Sequence, residues 1–117
     1  MADKRKQLNI LFEAVTEHLV RLARDQVPET GSFRRVSMGG YRKGHPFHSI
    51  LGIEESYESE TMRRISLGMY REGEDRVISN YLFRGTKQEV IAWLEDPENR
   101  QEIIDTFEHL ESRLEEE

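Results

Sequence analysis

Ser32-Phe33-Arg34-Arg35-Val36-Ser37-Met38-Gly39-Gly40-Tyr41-Arg42-Lys43-Gly44 is followed, 29 residues on, by Thr61-Met62-Arg63-Arg64-Ile65-Ser66-Leu67-Gly68-Met69-Tyr70-Arg71-Glu72-Gly73. Seven of the thirteen positions are identical, and most others are conservative exchanges. Self-similarity at a fixed offset marks an internal repeat. Apolar and polar residues alternate in both copies, which is the period of a strand with one buried face. In the first copy Arg34, Val36, Met38, Gly40 and Arg42 share a face, and Phe33, Arg35, Ser37, Gly39 and Tyr41 share the other. In the second, Arg63, Ile65, Leu67, Met69 and Arg71 oppose Met62, Arg64, Ser66, Gly68 and Tyr70. The aliphatic centres point the first-named faces inward.

Two further strands complete a sheet. Lys43-Gly44-His45-Pro46 reads as a turn, leading to a strand over about 47–55 with Phe47, Leu51 and Ile53 on its inner side. His48, Ile50, Gly52 and Glu54 take its other side. Glu55 to Thr61 reads as a polar, acidic connection. After the second copy, Glu72-Gly73-Glu74-Asp75 is a hairpin loop containing glycine. The fourth strand, about 76–84, is apolar on both faces through Val77, Ile78, Tyr81, Leu82 and Phe83. That pattern requires either cover on both sides or a bulge.

Helices flank the sheet. Leu8, Leu11, Phe12, Val15, Leu19 and Leu22 recur at spacings of three and four, predicting one amphipathic helix over 4–26 that ends before Pro28. An isolated helix of that length is marginal in water, so its stripe must dock. Thr86 with Glu89 forms a capping box for a helix over 87–95. Asp96 as N-cap and Pro97 at the first helical position start another, with Ile103, Ile104, Phe107, Leu110 and Leu114 as its stripe. The predicted fold is α+β, in the order α-β-β-β-β-α-α. It is a four-stranded antiparallel meander with the N- and C-terminal helices on one face.

The 117 residues suit one domain spanning 1–117, with an acidic, frayed tail from about 112 to 117. No cysteine is present, which excludes disulfides, thiolate metal sites and thiol nucleophiles. The opening residues lead into an amphipathic segment rather than an apolar signal run, and no apolar stretch is long enough to span a membrane. A cytoplasmic location without membrane attachment is the expectation. The net charge of −6 is uneven: residues 1–50 carry nine Lys/Arg and five Asp/Glu, and residues 51–117 carry eight and eighteen. The split fits either charge-complementary self-association or two solvated helices of opposite sign.

The candidate site is the outer sheet face. In a meander both copies flank the second strand, which gathers Arg35, Ser37, Tyr41, His48, Arg64, Ser66 and Tyr70 in neighbouring rows. Gly39, Gly52 and Gly68 leave the middle of that face shallow, as glycine does where a ligand or another backbone approaches. Arginine forks onto carboxylate or phosphate, and aromatic rings stack on bases. Arg42 and Lys43, in the basic turn after Tyr41, extend the set, although the spacing is not that of a P-loop. The same residue types also occur on ordinary solvated sheets. The expected function is a non-enzymatic binding or adaptor domain, acting through this face on a protein partner or as a homodimer. The competing expectation is a single-stranded nucleic-acid binder. Third is an enzyme acting on a small anion, with His48 and Arg64 as its candidates. Nothing calls for a cofactor, and His45 with His48 is poorly spaced for a metal in a turn and strand. Arg-Arg-Val-Ser and Arg-Arg-Ile-Ser resemble basic-directed kinase sites, but both serines lie mid-strand.

Overall fold

The computed structural model describes residues 2–41 and 44–116, with the side chains of all but Ala2, Asp3 and Tyr41. Helix α1 (Ala2–Gln26) is followed by strands β1 (Val36–Tyr41), β2 (Phe47–Ser56), β3 (Ser59–Arg71) and β4 (Val77–Thr86). Helix α2 (Lys87–Glu95), a 3₁₀ turn (Pro97–Asn99) and helix α3 (Arg100–Glu115) complete the chain. The sheet is an antiparallel meander in the order β1-β2-β3-β4. Helix α1 lies over β1 and β2, and α2 and α3 lie over β3 and β4. The predicted α+β architecture is the observed one.

The apolar stripe of α1 is wider than its spacing indicates. Leu8, Phe12, Val15 and Leu19 are buried as expected, but so are Val20 and Ala23, and Val27 just past the helix end, because α1 also meets α2 and α3. Thr16 sits within this stripe and satisfies its hydroxyl on the Phe12 carbonyl at 2.7 Å. Phe12 packs edge-on against Phe107 of α3, with centroids 5.6 Å apart. Beneath the helices, Leu51, Ile53, Ile65, Leu67 and Met69 are almost completely buried. Each such side chain contributes about 1.5–3 kcal/mol of transfer free energy.

The two similar segments align across β2 residue for residue. Val36 and Ile65 both pair with Ile53, Ser37 and Ser66 with Gly52, Gly39 and Gly68 with Ile50, and Tyr41 and Tyr70 with His48. The predicted sidedness holds over this span: Val36, Ile65, Leu67 and Met69 face the helices. The copies diverge where α1 passes. A Cβ on Gly40 would stand 2.6 Å from the Ser49 hydroxyl and 3.6 Å from Leu11, so β1 takes glycine where β3 has Met69.

Three local expectations differ, and one pair of alternatives is decided. First, β1 begins at Val36, so its alternation does not reach Phe33 and Arg34. Phe33 packs against the core instead of facing outward, under the Arg63 guanidinium at 4.9 Å, and Arg34 is exposed rather than inward. Second, the connection between β2 and β3 is a tight hairpin through Tyr57 and Glu58, since both strands continue through the polar residues. Third, of the two expected explanations of the doubly apolar β4, cover on both sides or a bulge, the bulge is present. Ser66 pairs with Tyr81 and Ile65 with Phe83, leaving Leu82 as the extra residue, so Leu82 and Phe83 both reach the core. Phe83 stacks on Trp93 at 5.7 Å. Fourth, α3 stays helical to Glu115 with Leu114 buried, where a frayed tail is expected from residue 112.

The uneven charge is partly answered within the chain. Lys4 pairs with Glu111 at 2.6 Å, and Arg5 pairs with Asp105 at 2.9 Å and with Glu108. The basic start of α1 thus runs beside the acidic face of α3.

Candidate partner-binding face

Among the described residues no helix covers the outer side of the sheet. Its floor follows from the register. One row runs Gly39, Ile50, Gly68, Ser79, and the next runs Ser37, Gly52, Ser66, Tyr81. Beyond the first lie Tyr41, His48, Tyr70 and Val77; beyond the second lie Glu54, Arg64 and Arg84. Apart from the half-buried Ile50, small residues line the middle, and with large ones at both ends they make a shallow trough.

The sequence-predicted residues divide among several environments. The rings of His48 and Tyr70 stack nearly parallel, with centroids 5.1 Å apart. Arg64 is half-buried: its guanidinium lies 4.4 Å from the Tyr81 ring and 5.4 Å from that of Tyr57, and 3.8 Å from the Glu54 carboxylate. Its Nε is buried without a hydrogen-bond partner. Arg35 is exposed at the start of β1, and its guanidinium lies over Gly52. Ser37 is exposed on the edge strand, whereas Ser66 on the central strand is 3% exposed. The kinase-like motif is therefore open at Ser37 and closed at Ser66. The Tyr41 side chain, Arg42 and Lys43 lie outside the described residues.

The trough is less empty than three glycines imply. Gly52 is filled by Arg35, and a Cβ on Gly68 would meet Val77 Cγ1 at 3.2 Å. Gly39 alone of the three is open, with only the Ser49 carbonyl oxygen at 3.9 Å.

Sequence reasoning missed the apolar part of this face. Val77 is 52% exposed, Tyr81 63% and Tyr57 92%; of the large exposed apolar side chains among the described residues, only Ile10 lies elsewhere. Strict alternation from Val77 would have put Val77 and Tyr81 on one side, but the two-sided pattern of β4 hid which side. Glu54 and Glu58 were also missed as the partners of Arg64 and Arg84.

Other sites are weaker. A cleft of about 440 Å³ lies between α1 and the α2–α3 corner, lined in part by Glu13, Glu17, Arg21, Arg24, Glu95 and Arg100. Arg24 and Glu95 already pair there at 2.6 Å. No group of three His, Cys, Asp or Glu among the described residues is placed to hold a metal ion. No helix among them is long and apolar enough to cross a membrane. No family model, curated protein or solved structure matches this chain.

Proposed function

We propose that this chain is a non-enzymatic binding module that docks a protein partner on the open face of its sheet. The observation that carries the proposal is the placement of Val77 and Tyr81. Both are large and more than half exposed, and they border a glycine- and serine-lined floor that no helix covers. A sheet face of this kind gains stability by burying those side chains against another surface.

The charges favour a partner with acidic groups over a nucleic acid or a second copy. Among the described residues of this face Arg64 and Arg84 are already paired with Glu54 and Glu58, which leaves fewer cations for a phosphate chain. Of the tyrosines whose side chains are described, Tyr70 is already stacked on His48. Among the described residues of the trough and its borders Arg35, Arg64 and Arg84 outnumber Glu54 and Glu58, so two copies meeting through this face would set net-positive surfaces together. A cytoplasmic setting is part of the proposal.

The test places a photo-reactive residue at Ser79, in the trough, and a control at exposed Lys6 on α1. Cross-linking in the source cells from position 79, lost in Val77→Asp and Tyr81→Asp, supports the proposal if the captured protein has an acidic segment at the cross-link. Self-cross-linking from position 79, with a dimer in sedimentation, would replace the partner by a second copy. Salt-sensitive binding of a labelled single-stranded oligonucleotide, lost in the same variants, would favour the nucleic-acid reading. Equal cross-linking from both positions would sink the assignment of the face.

A further inference from the structure

Arg35 occupies the space of a side chain that Gly52 does not have. A Cβ built on Gly52 would stand 2.7 Å from Arg35 Nε, 3.0 Å from Nη2 and 3.3 Å from Cζ. The guanidinium therefore rests on the sheet, held in place by the absence of a neighbouring side chain. Gly52 pairs with Ser37 on one side and with Ser66 on the other. Cross-strand neighbours stand about 5 Å apart at Cβ, so a serine hydroxyl flanks the guanidinium on each side. Among the described residues, the side chains of Arg35, Ser37 and Ser66 make no hydrogen bond or ion pair. The neighbouring cations differ, since Arg64 and Arg84 each have a carboxylate.

We propose that Arg35, Ser37 and Ser66 form a carboxylate-binding subsite, seated on Gly52, that receives an acidic group of the docked partner. This rests on the preceding assignment of the face. A guanidinium presents two parallel N–H donors, which match the two oxygens of a carboxylate. The flanking hydroxyls add donors beside the same anion. Ser66 is 3% exposed and lies opposite Gly52, in the row that forms the floor of the trough. The duplication of the Arg-Arg-(Val/Ile)-Ser phrase then has a spatial consequence, since the two serines converge on one glycine. The carboxylate comes from an acidic side chain or from a chain terminus of the partner.

The experiment is a titration followed by two-dimensional NMR of the full chain, observing the amides of Ser37, Gly52 and Ser66 and the Arg35 Nε–H. Sodium acetate is the probe, and sodium chloride at equal ionic strength is the control. Saturable shifts confined to these signals are expected. Arg35→Gln should abolish them, and Gly52→Ala, whose methyl displaces the guanidinium, should weaken binding about tenfold, as expected for losing a charged hydrogen bond. Ser66→Ala keeps the volume of the site and should give a smaller loss. An amidated peptide with one internal Glu, compared with an uncapped peptide lacking acidic side chains, distinguishes the two sources of the carboxylate. Equal shifts at Arg5, Arg24 and Arg84, or shifts that persist in Arg35→Gln, would overturn the subsite. The titration needs no partner, so the two proposals fail separately. Cross-linking without acetate binding leaves docking and removes the subsite. Acetate binding without cross-linking from position 79 removes the docking.

Discussion

The Arg63 guanidinium donates twice to the Pro28 carbonyl oxygen, from Nε at 3.2 Å and from Nη2 at 2.8 Å. It also reaches the Glu60 carbonyl at 3.1 Å. Arg63 has no solvent exposure, so this bond ties the end of α1 to the middle of the sheet through a buried cation. Its N–H groups are answered by peptide oxygens, and Phe33 lies over its plane. Arg34, at the same position of the other copy, is exposed. Arg63→Ala leaves buried carbonyls without donors and opens a cavity. It should lower the urea-derived stability by about 3 kcal/mol. Arg34→Ala should change it by less than about 0.5 kcal/mol. Equal effects of the two substitutions would contradict the clasp.

The glycines of the two copies, apart from the helix-facing Gly40, separate into turn and floor. Gly44 and Gly73 occupy the same repeat position, and both have positive φ, of 85° and 86°. A side chain there is strained whatever the space around it. Gly73→Ala should cost about 1–2 kcal/mol in equilibrium unfolding. Gly39 has ordinary φ and open space, so Gly39→Ala should leave stability within about 0.5 kcal/mol of the parent. A larger loss at Gly39 than at Gly73 would mean that something covers the trough.

The capping box at α2 makes stability depend on acid. Thr86 Oγ accepts from the Glu89 N–H at 3.3 Å, and the Glu89 carboxylate accepts from the Thr86 N–H at 3.0 Å. That backbone bond, helped by the Thr86 side chain, holds the Glu89 carboxyl below its ordinary value. A lowered folded value means that the carboxylate's contribution is complete above the unfolded glutamate value. It is lost as the pH falls through the folded one. Stability of the parent relative to Glu89→Gln, measured from neutrality to about pH 3, should therefore narrow on acidification. A constant difference would contradict the box. Thr86→Ala should cost about 1 kcal/mol at neutral pH.

The pairing of α1 with α3 bears on association. Arg5 is 43% exposed, so Arg5→Ala should cost no more than about 0.5 kcal/mol, and the loss should shrink with added salt. Because those charges are answered within the chain, sedimentation at low and high salt should show no assembly driven by opposite charges. Oligomers that dissolve on adding salt and disappear in Arg5→Glu would show that the two helices pair between molecules.

Much of the fold was legible because burial imposes a period. The alternation in 32–44 and 61–73 put Val36, Ile65, Leu67 and Met69 inward, and Thr86 with Glu89 marked the start of α2. Alternation fails where the strand has not begun or where a residue is inserted. Phe33 and Arg34 precede β1, and Leu82 is extra in β4, so neither the core role of Phe33 nor the exposure of Tyr81 could be read from spacing. The candidate site was legible as a face, and the pairing of its charges was not. Glu54 and Glu58 meet Arg64 and Arg84 across the β2–β3 hairpin and the β3–β4 pair, at separations that only the register defines.

The sequence by itself determined the order of helices and strands and, for β2 and the central span of the two repeat copies, which side is apolar, because those follow from local period and from the need to bury carbon. Tertiary structure decided what two nearly identical phrases do. Arg63 is enclosed beneath Pro28 and Arg34 faces water; Ser66 lies in the floor while Ser37 stands at the edge. Local sequence is the same in each pair. The physical difference is the neighbour on the far side: β3 has strands on both flanks and α2 and α3 above it, whereas β1 has α1 above it but a strand, β2, on one flank only.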